Sequence, residues 1–247
     1  MTPAEEPAPI QAIGLSKRFG SVNALTDVSL KIPQNSVYAL IGANGTGKST
    51  LMRLLLNIHR PTHGESSVLG ISSGKLQPHH FQRIGYVAEG QHSPDWLAAT
   101  QYGEFLAPFY PQWDGDRFNA LCRRLRVPPW HKMENMSRGT RMKTLLAGAL
   151  AFSPECLLLD EPLGGLDPFA RDEIIQVLRD SSPATTILIS SHDLLEVETI
   201  ATHIGYLDEG RLLFSEPIAE LRAKFKGLSL RDIFLKLARE SLKEETR

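Results

Sequence analysis

Gly42-Ala43-Asn44-Gly45-Thr46-Gly47-Lys48-Ser49-Thr50 lies between the apolar run Val37-Tyr38-Ala39-Leu40-Ile41 and a stretch in which Leu51, Leu54, Leu55 and Ile58 recur at the spacing of one helix face. Strand, glycine-rich loop and helix, in that order, give the string G-x-x-x-x-G-K-S its meaning as a phosphate-binding loop. The glycines let backbone N–H groups close on phosphate oxygens, and a helix starting at the loop turns its positive dipole end toward them. In this reading Lys48 reaches the β- and γ-phosphates, and Ser49 offers a hydroxyl to Mg²⁺. An incidental glycine turn would need none of the flanking pattern.

Upstream, Ile10 to Phe19 and Val22 to Ile32 alternate like paired strands, broken at Gly20 and Pro33. Downstream, strand-like runs at Ser66 to Leu69, Ile84 to Val87, Cys156 to Leu159, Thr186 to Ile189, Ile204 to Asp208 and Arg211 to Phe214 are interleaved with helical patterns. Strands alternating with helices predict an α/β core with a mainly parallel sheet. The run Cys156 to Leu159 is apolar throughout, as a strand covered on both faces should be, and it delivers Asp160 and Glu161 at its C-terminal end. On an extended chain the two adjacent acids point to opposite sides. Asp160 is then placed to help hold Mg²⁺, and Glu161 to polarise a water that attacks the γ-phosphate.

Composition limits the alternatives. With 42% hydrophobic and 22% charged residues the chain can build a core, and a formal net charge of −1 gives no electrostatic reason to expect nucleic-acid binding. Two cysteines, Cys122 and Cys156, make neither a disulfide framework nor a zinc site. His79-His80 has no further ligand at metal spacing, so a metal reading of that pair is weak. Residues 1–9 read as a disordered lead-in without the charge or apolar run of a signal peptide. The stretch from Thr144 to Pro154 is far shorter than the roughly 20 residues of a membrane span. Work at a membrane would therefore require a partner.

The region from Trp96 to Trp130 holds all three tryptophans and two aromatic stripes, Tyr102-Phe105-Leu106-Phe109 and Phe118-Leu121-Cys122-Leu125. It reads as a helical unit packing its own core, with a docking surface as the alternative for its outer part. Met136-Ser137-Arg138-Gly139-Thr140 opens a further helix with a Met142, Leu145, Leu146 and Ala149 stripe. Phe19, well upstream of the glycine loop, can be either an adenine-stacking ring or a strand-end residue. The last helix has an apolar face of Leu230, Ile233, Phe234 and Leu237, and its end, Arg239 to Arg247, is expected to fray.

Taken in order over roughly residues 10 to 225, these segments resemble the nucleotide-binding subunit of an ATP-binding cassette (ABC) transporter. The resemblance adds Leu163-Gly164-Gly165-Leu166-Asp167 as the D-loop, Ser191-His192-Asp193 as the switch-histidine segment, Phe19 at the adenine-stacking position, and Ser137, Arg138, Gly139 and Thr140 as the signature sequence. It implies a P-loop NTPase core, an N-terminal antiparallel β-subdomain, an inserted α-helical subdomain at about 90–153, and a C-terminal helical extension at 226–247. It further implies ATP and Mg²⁺ as ligands, with Gly42 to Thr50 around the phosphates, and Ser49, Asp160 and Glu89 near the metal. Lys48, Glu161 and His192 would be catalytic. Two chains would sandwich two ATP molecules, each signature segment acting on its partner's nucleotide, with Asp167 at the seam, as a homodimer or a heterodimer with a sister cassette. Integral membrane permease subunits would carry the cargo, the cassette being peripheral on the cytoplasmic face of the membrane.

Two segments depart from the family pattern. Glu89 stands where glutamine is usual, and Arg138 and Thr140 replace the usual glycine and glutamine. The arginine can favour phosphate or point to solvent. Glu89, Ser137-Arg138-Gly139 and Leu230-Arg231-Asp232-Ile233-Phe234-Leu235 resemble an exporter-like branch with a separate six-helix permease. The competing readings are a soluble ABC ATPase acting on ribosomes or nucleic acid, and a regulatory cassette that hydrolyses weakly. The cargo is not written in this chain.

Overall fold

The computed structural model describes residues 8–88, 90–91 and 93–245, with side chains through Ser241. Glu89, most of the expected lead-in and the last two residues of the chain lie outside the described residues. β1 (Ile10–Phe19) and β2 (Val22–Ile32) pair antiparallel, with Ile10 opposite Ile32 and Phe19 opposite Val22. β3 (Val37–Ile41) belongs to a second sheet, whereas β4 (His63–Val68) and β5 (Ile71–Ser72) extend the first into the order β2-β1-β4-β5. The second sheet adds β6 (Ile84–Ala88), β7 (Cys156–Asp160), β8 (Thr186–Ser191), β9 (His203–Asp208) and β10 (Arg211–Pro217), in the order β10-β9-β3-β8-β7-β6. All its pairings are parallel except β9 with β10.

Alternation along the parallel strands divides the interior into two cores. Val37, Ala39 and Ile41 of β3, Leu157 and Leu159 of β7, and Ile187 and Ile189 of β8 face one core. Tyr38, Leu40, Cys156, Leu158 and Leu188 face the other, which also receives the antiparallel sheet and α1 (Lys48–Leu55). Leu51, Leu54 and Leu55 are fully buried there, each burial worth about 1.5–3 kcal/mol. Ile58, expected on the same face, is exposed. The helix stops at Leu55, and Asn57 takes a positive φ of 56° that turns the chain away.

The first core is covered by α2 (Ala99–Leu106), α3 (Gly115–Arg124), α4 (Arg138–Ala151) and α5 (Pro168–Ser181), followed by α6 (Leu194–Val197), α7 (Ile218–Lys224) and α8 (Leu230–Glu245). The stripes of α3 and α4 are buried as expected, at Phe118, Cys122, Leu125, Met142, Leu145 and Leu146. The stripe of α2 is split: Tyr102 and Leu106 pack on the core as expected. Phe105 and Phe109 are exposed and lean on each other, while Ala99, Tyr102 and Gly103 face inward. Gly103 is the reason: a Cβ there would lie 2.5 Å from the Phe118 ring, so the ring's approach turns the buried face toward the glycine. At the other end of the molecule, Phe234 of α8 packs edge-on against Tyr206 of β9 and Phe214 of β10.

Candidate active site at the strand ends

The loop after β3 is shaped by close backbone approach. A Cβ at Gly42 would meet the Leu207 carbonyl oxygen at 2.3 Å, and one at Gly47, where φ is 107°, would meet the Ala24 carbonyl oxygen at 2.5 Å. Only glycine fits either place. α1 then begins without a side-chain cap and without an acidic residue in its first turn. Its first N–H groups and its positive dipole end are left for an anion.

Lys48 is buried, and its Nζ donates to the carbonyls of Gly42 (2.6 Å) and Ala43 (2.9 Å). The same Nζ lies 3.0 Å from Glu161 Oε1, an ion pair without hydrogen-bond alignment, since that oxygen is buried and has no hydrogen-bond partner. Glu161 Oε2 is 2.9 Å from His192 Nδ1. This hydrogen bond is the main cause of a His192 pKa above the ordinary histidine value. Lys48 at the start of α1 after the β3 loop, Glu161 just after β7 and His192 just after β8 thus meet at one point, the C-terminal edge where α/β sheets bind ligands.

Asp160 and Glu161 part company differently from the expectation. The strand ends at Asp160, and Glu161 has a φ of +50°, a left-handed conformation that costs a non-glycine residue about 1–2 kcal/mol. Ser190 compensates by bridging the break: its hydroxyl donates to Asp160 Oδ1 (2.8 Å) and accepts from the Glu161 N–H (2.9 Å). Ser190 was not singled out from the sequence, where only its place at the end of an apolar strand marks it.

The remaining sequence candidates are distributed around this point. Ser137 caps α4, its Oγ accepting from the Thr140 N–H at 3.1 Å and lying 2.9 Å from the Thr140 hydroxyl. Gly139 packs near Leu166 and Ala170. The Arg138 guanidinium lies against the Gly164-Gly165 turn, and a Cβ at Gly164 would be 3.7 Å from it and 3.6 Å from the His192 ring. Asp167 caps α5 by accepting from the N–H groups of Phe169 and Ala170, and these bonds hold its carboxyl below the usual range. Arg141 of α4 reaches back to Gln91, Ser93 and Asp95, tying the helix to the segment after β6. Phe19 stands apart at the end of β1, exposed, edge-on to His59 and under Lys17.

The donor set suits a magnesium–nucleotide better than a metal held by protein alone. No group of three His, Cys, Asp or Glu side chains arranged for a metal occurs among the described residues. A divalent ion here would draw on the Ser49 hydroxyl, the Asp160 carboxylate and phosphate oxygens, which is how Mg²⁺ is commonly held. The glycine cradle, the buried lysine and the orphaned Glu161 oxygen fit a polyphosphate carrying an adjacent water.

A family model described as ABC transporter matches residues 25–164. The bacitracin transport ATP-binding protein BcrA of Enterococcus faecalis is 31% identical over 222 residues, spanning 87% of this chain and 71% of that protein. The nickel import ATP-binding protein NikO of Rhodobacter capsulatus is 32% identical over 244 residues, spanning 91% and 93%. Among solved structures, an ATP-binding subunit of an ABC transporter matches with a TM-score of 0.84 at 24% identity, over 94% of this chain and all of that one. A dimeric ATP-binding cassette in a post-hydrolysis state with ADP and Pi matches with a TM-score of 0.75 at 23% identity, over 85% and 98%. At those identities the structural likeness speaks for the fold.

Proposed function

This chain belongs to the ABC transporter family, and from that premise we propose that it is the subunit that binds and hydrolyses Mg-ATP to power export through separate membrane permease subunits. The observation that carries the hydrolytic part is the meeting of Lys48, Glu161 and His192 at the strand ends. In this reading the loop from Gly42 to Thr50 holds the phosphates, with Lys48 turning from the loop carbonyls to the β- and γ-phosphates. Ser49 and Asp160 hold Mg²⁺, with Glu89 nearby, and the ion, when bound, neutralises charge developing on the phosphate oxygens. Glu161 polarises the attacking water, and His192, fixed by its hydrogen bond to Glu161, contacts the γ-phosphate side of the site. Phe19 stacks on the adenine ring.

Ser137, Arg138, Gly139 and Thr140 lie at the start of α4, where an N-terminal dipole end and a hydroxyl suit a γ-phosphate supplied by a second cassette. Dimerisation then completes each site, with Asp167 at the seam. No helix among the described residues is long and apolar enough to cross a membrane, which accords with a chain that acts through a permease. Relatives named for bacitracin transport and for nickel import lie at similar identity, so the support for export is the exporter-like pattern of Glu89, Ser137-Arg138-Gly139 and Leu230 to Leu235.

The test is Glu161→Gln. The variant keeps ATP binding, loses turnover by on the order of a hundredfold or more, and accumulates as an ATP-bound dimer in size-exclusion chromatography. Purified from native membranes in mild detergent with Mg-ATP, it should carry a multi-span membrane protein. Turnover at the parent rate would remove Glu161 from its assigned role, and recovery of ribosomes or nucleic acid instead of a permease would overturn the transport reading.

A further inference from the structure

Glu196 is a buried carboxylate that the hydrolytic reading does not use. It lies on α6, 3% exposed, and both its oxygens are engaged. Oε2 accepts from the Ser191 hydroxyl at 2.5 Å, and Oε1 lies 3.2 Å from an Arg171 terminal nitrogen on α5. A carboxylate taken this far out of water persists only with such partners, because the desolvation cost is otherwise several kcal/mol per ion. The Arg171 Nε is itself buried without a hydrogen-bond partner, so the Glu196 contact through the terminal nitrogen is the ion pair that the guanidinium has on this side.

The placement of the pair relates it to the reaction. Ser191 ends β8 and immediately precedes His192, and its Oγ also accepts from the Asp193 N–H at 3.0 Å. Asp193 caps α6 through the Leu195 N–H. His192 is therefore flanked by two residues fixed to the same short helix, and that helix is pinned by Glu196 to α5. α5 is the helix capped by Asp167, and the Arg171 N–H donates to the Asp167 carbonyl at 3.0 Å. The charged groups that act electrostatically on His192 are Glu161 after β7, Glu196 on α6 and Lys48 on α1, and the Arg138 guanidinium lies near its ring across Gly164.

We infer that Glu196 and Arg171 are positioning residues that hold the His192 segment in register with Glu161 and tie it to the helix carrying Asp167. The inference rests on the hydrolytic reading of Glu161 and His192. Neither residue touches the reacting atoms; each acts through the backbone that carries His192. Misplacing a catalytic group by about 1 Å can cost a hundredfold in rate, and neither Glu196 nor Arg171 belongs to the loop proposed to bind the phosphates. The ion pair therefore bears on kcat rather than on KM for ATP.

The experiment uses the full chain with Glu196→Gln, Arg171→Met, the double variant and Arg171→Lys. In Mg-ATP turnover, each of the first two is expected to lower kcat about tenfold or more with KM within about twofold. The double variant should be no worse than the singles, because the pair acts as one unit. Arg171→Lys should recover most of the rate. A second measurement needs no turnover: in ¹⁵N-histidine-labelled protein, the His192 ring nitrogens, assigned by their loss in His192→Gln, should move toward the shifts of an imidazole without the Glu161 hydrogen bond. Parent-like kcat in both single variants, additive losses in the double variant, or unmoved His192 resonances would each overturn the proposal. Absence of turnover in the parent chain would instead sink the hydrolytic reading, and the ring resonances would still decide the positioning.

Discussion

Glu161 carries three demands at one residue: a left-handed backbone, an ion pair with Lys48 and a hydrogen bond to His192. Strain of this kind persists where surrounding bonds over-determine it, and here Ser190 supplies them. The bond to His192 also gives a pH signature. His192 has a raised pKa in the folded chain, so the stability it contributes is complete below the ordinary histidine value of about 6.5 and is lost as pH rises through its own higher value. The ring is half-exposed, and screening keeps the effect below about 1 kcal/mol. The urea midpoint of the parent should exceed that of His192→Ala most at low pH, with the gap narrowing as pH rises; a gap that widens with pH would contradict the assignment. At this scale the sequence was partly legible. The string Gly42 to Thr50 and the acids Asp160 and Glu161 announce themselves by type and spacing. The left-handed turn at Glu161 and the Arg171–Glu196 pair do not, since one is set by a strand ending early and the other joins residues that only the fold brings together.

Helix starts rest on local chemistry, but the caps at Asp114, Asp167 and Asp193 were not read from the sequence. Asp114, Ser137, Asp167 and Asp193 each stand at an N-cap and accept a backbone N–H from the first turn. α1 starts instead at a glycine, Gly47, with no side-chain cap, in keeping with a loop whose N–H groups are reserved for phosphate. Asp167 links the two uses of a helix start, since it satisfies α5 while standing beside the turn that Arg138 covers. Asp167→Ala should therefore destabilise the chain by about 1 kcal/mol, whereas Asp167→Asn should retain most of the stability, both read from urea unfolding. Equal losses in the two variants would mean that charge, and not the cap, is what α5 requires. Helix faces depend on more than local chemistry. The period of Tyr102, Phe105, Leu106 and Phe109 is helical, yet the face that turns inward was decided by Gly103 beneath the Phe118 ring, a contact between two helices that periodicity within one cannot encode.

Across the whole molecule the question is whether the helical region from α2 to α4 unfolds by itself or with the sheet. Its connections resemble those of an inserted unit, but its core does not stop at its own boundary. Tyr102, Phe118, Cys122 and Leu125 belong to the same buried cluster as Val37 and Ala39 of β3, Leu157 and Leu159 of β7, and Ile187 and Ile189 of β8. Separate unfolding would expose the sheet face that α4 covers, while most of the cost of ordering the rest of the chain remained. The three tryptophans make this measurable, because all lie between residues 96 and 130. Trp96 and Trp130 are exposed already, so the fluorescence change on unfolding comes chiefly from Trp113, packed against Phe118 and Tyr110. Far-UV circular dichroism reports the whole chain. A shared core predicts that the two signals follow one urea transition with a common midpoint, the mark of two-state behaviour. An earlier fluorescence transition would make the helical region a separately cooperative unit, free to move against the strand ends where Lys48, Glu161 and His192 meet.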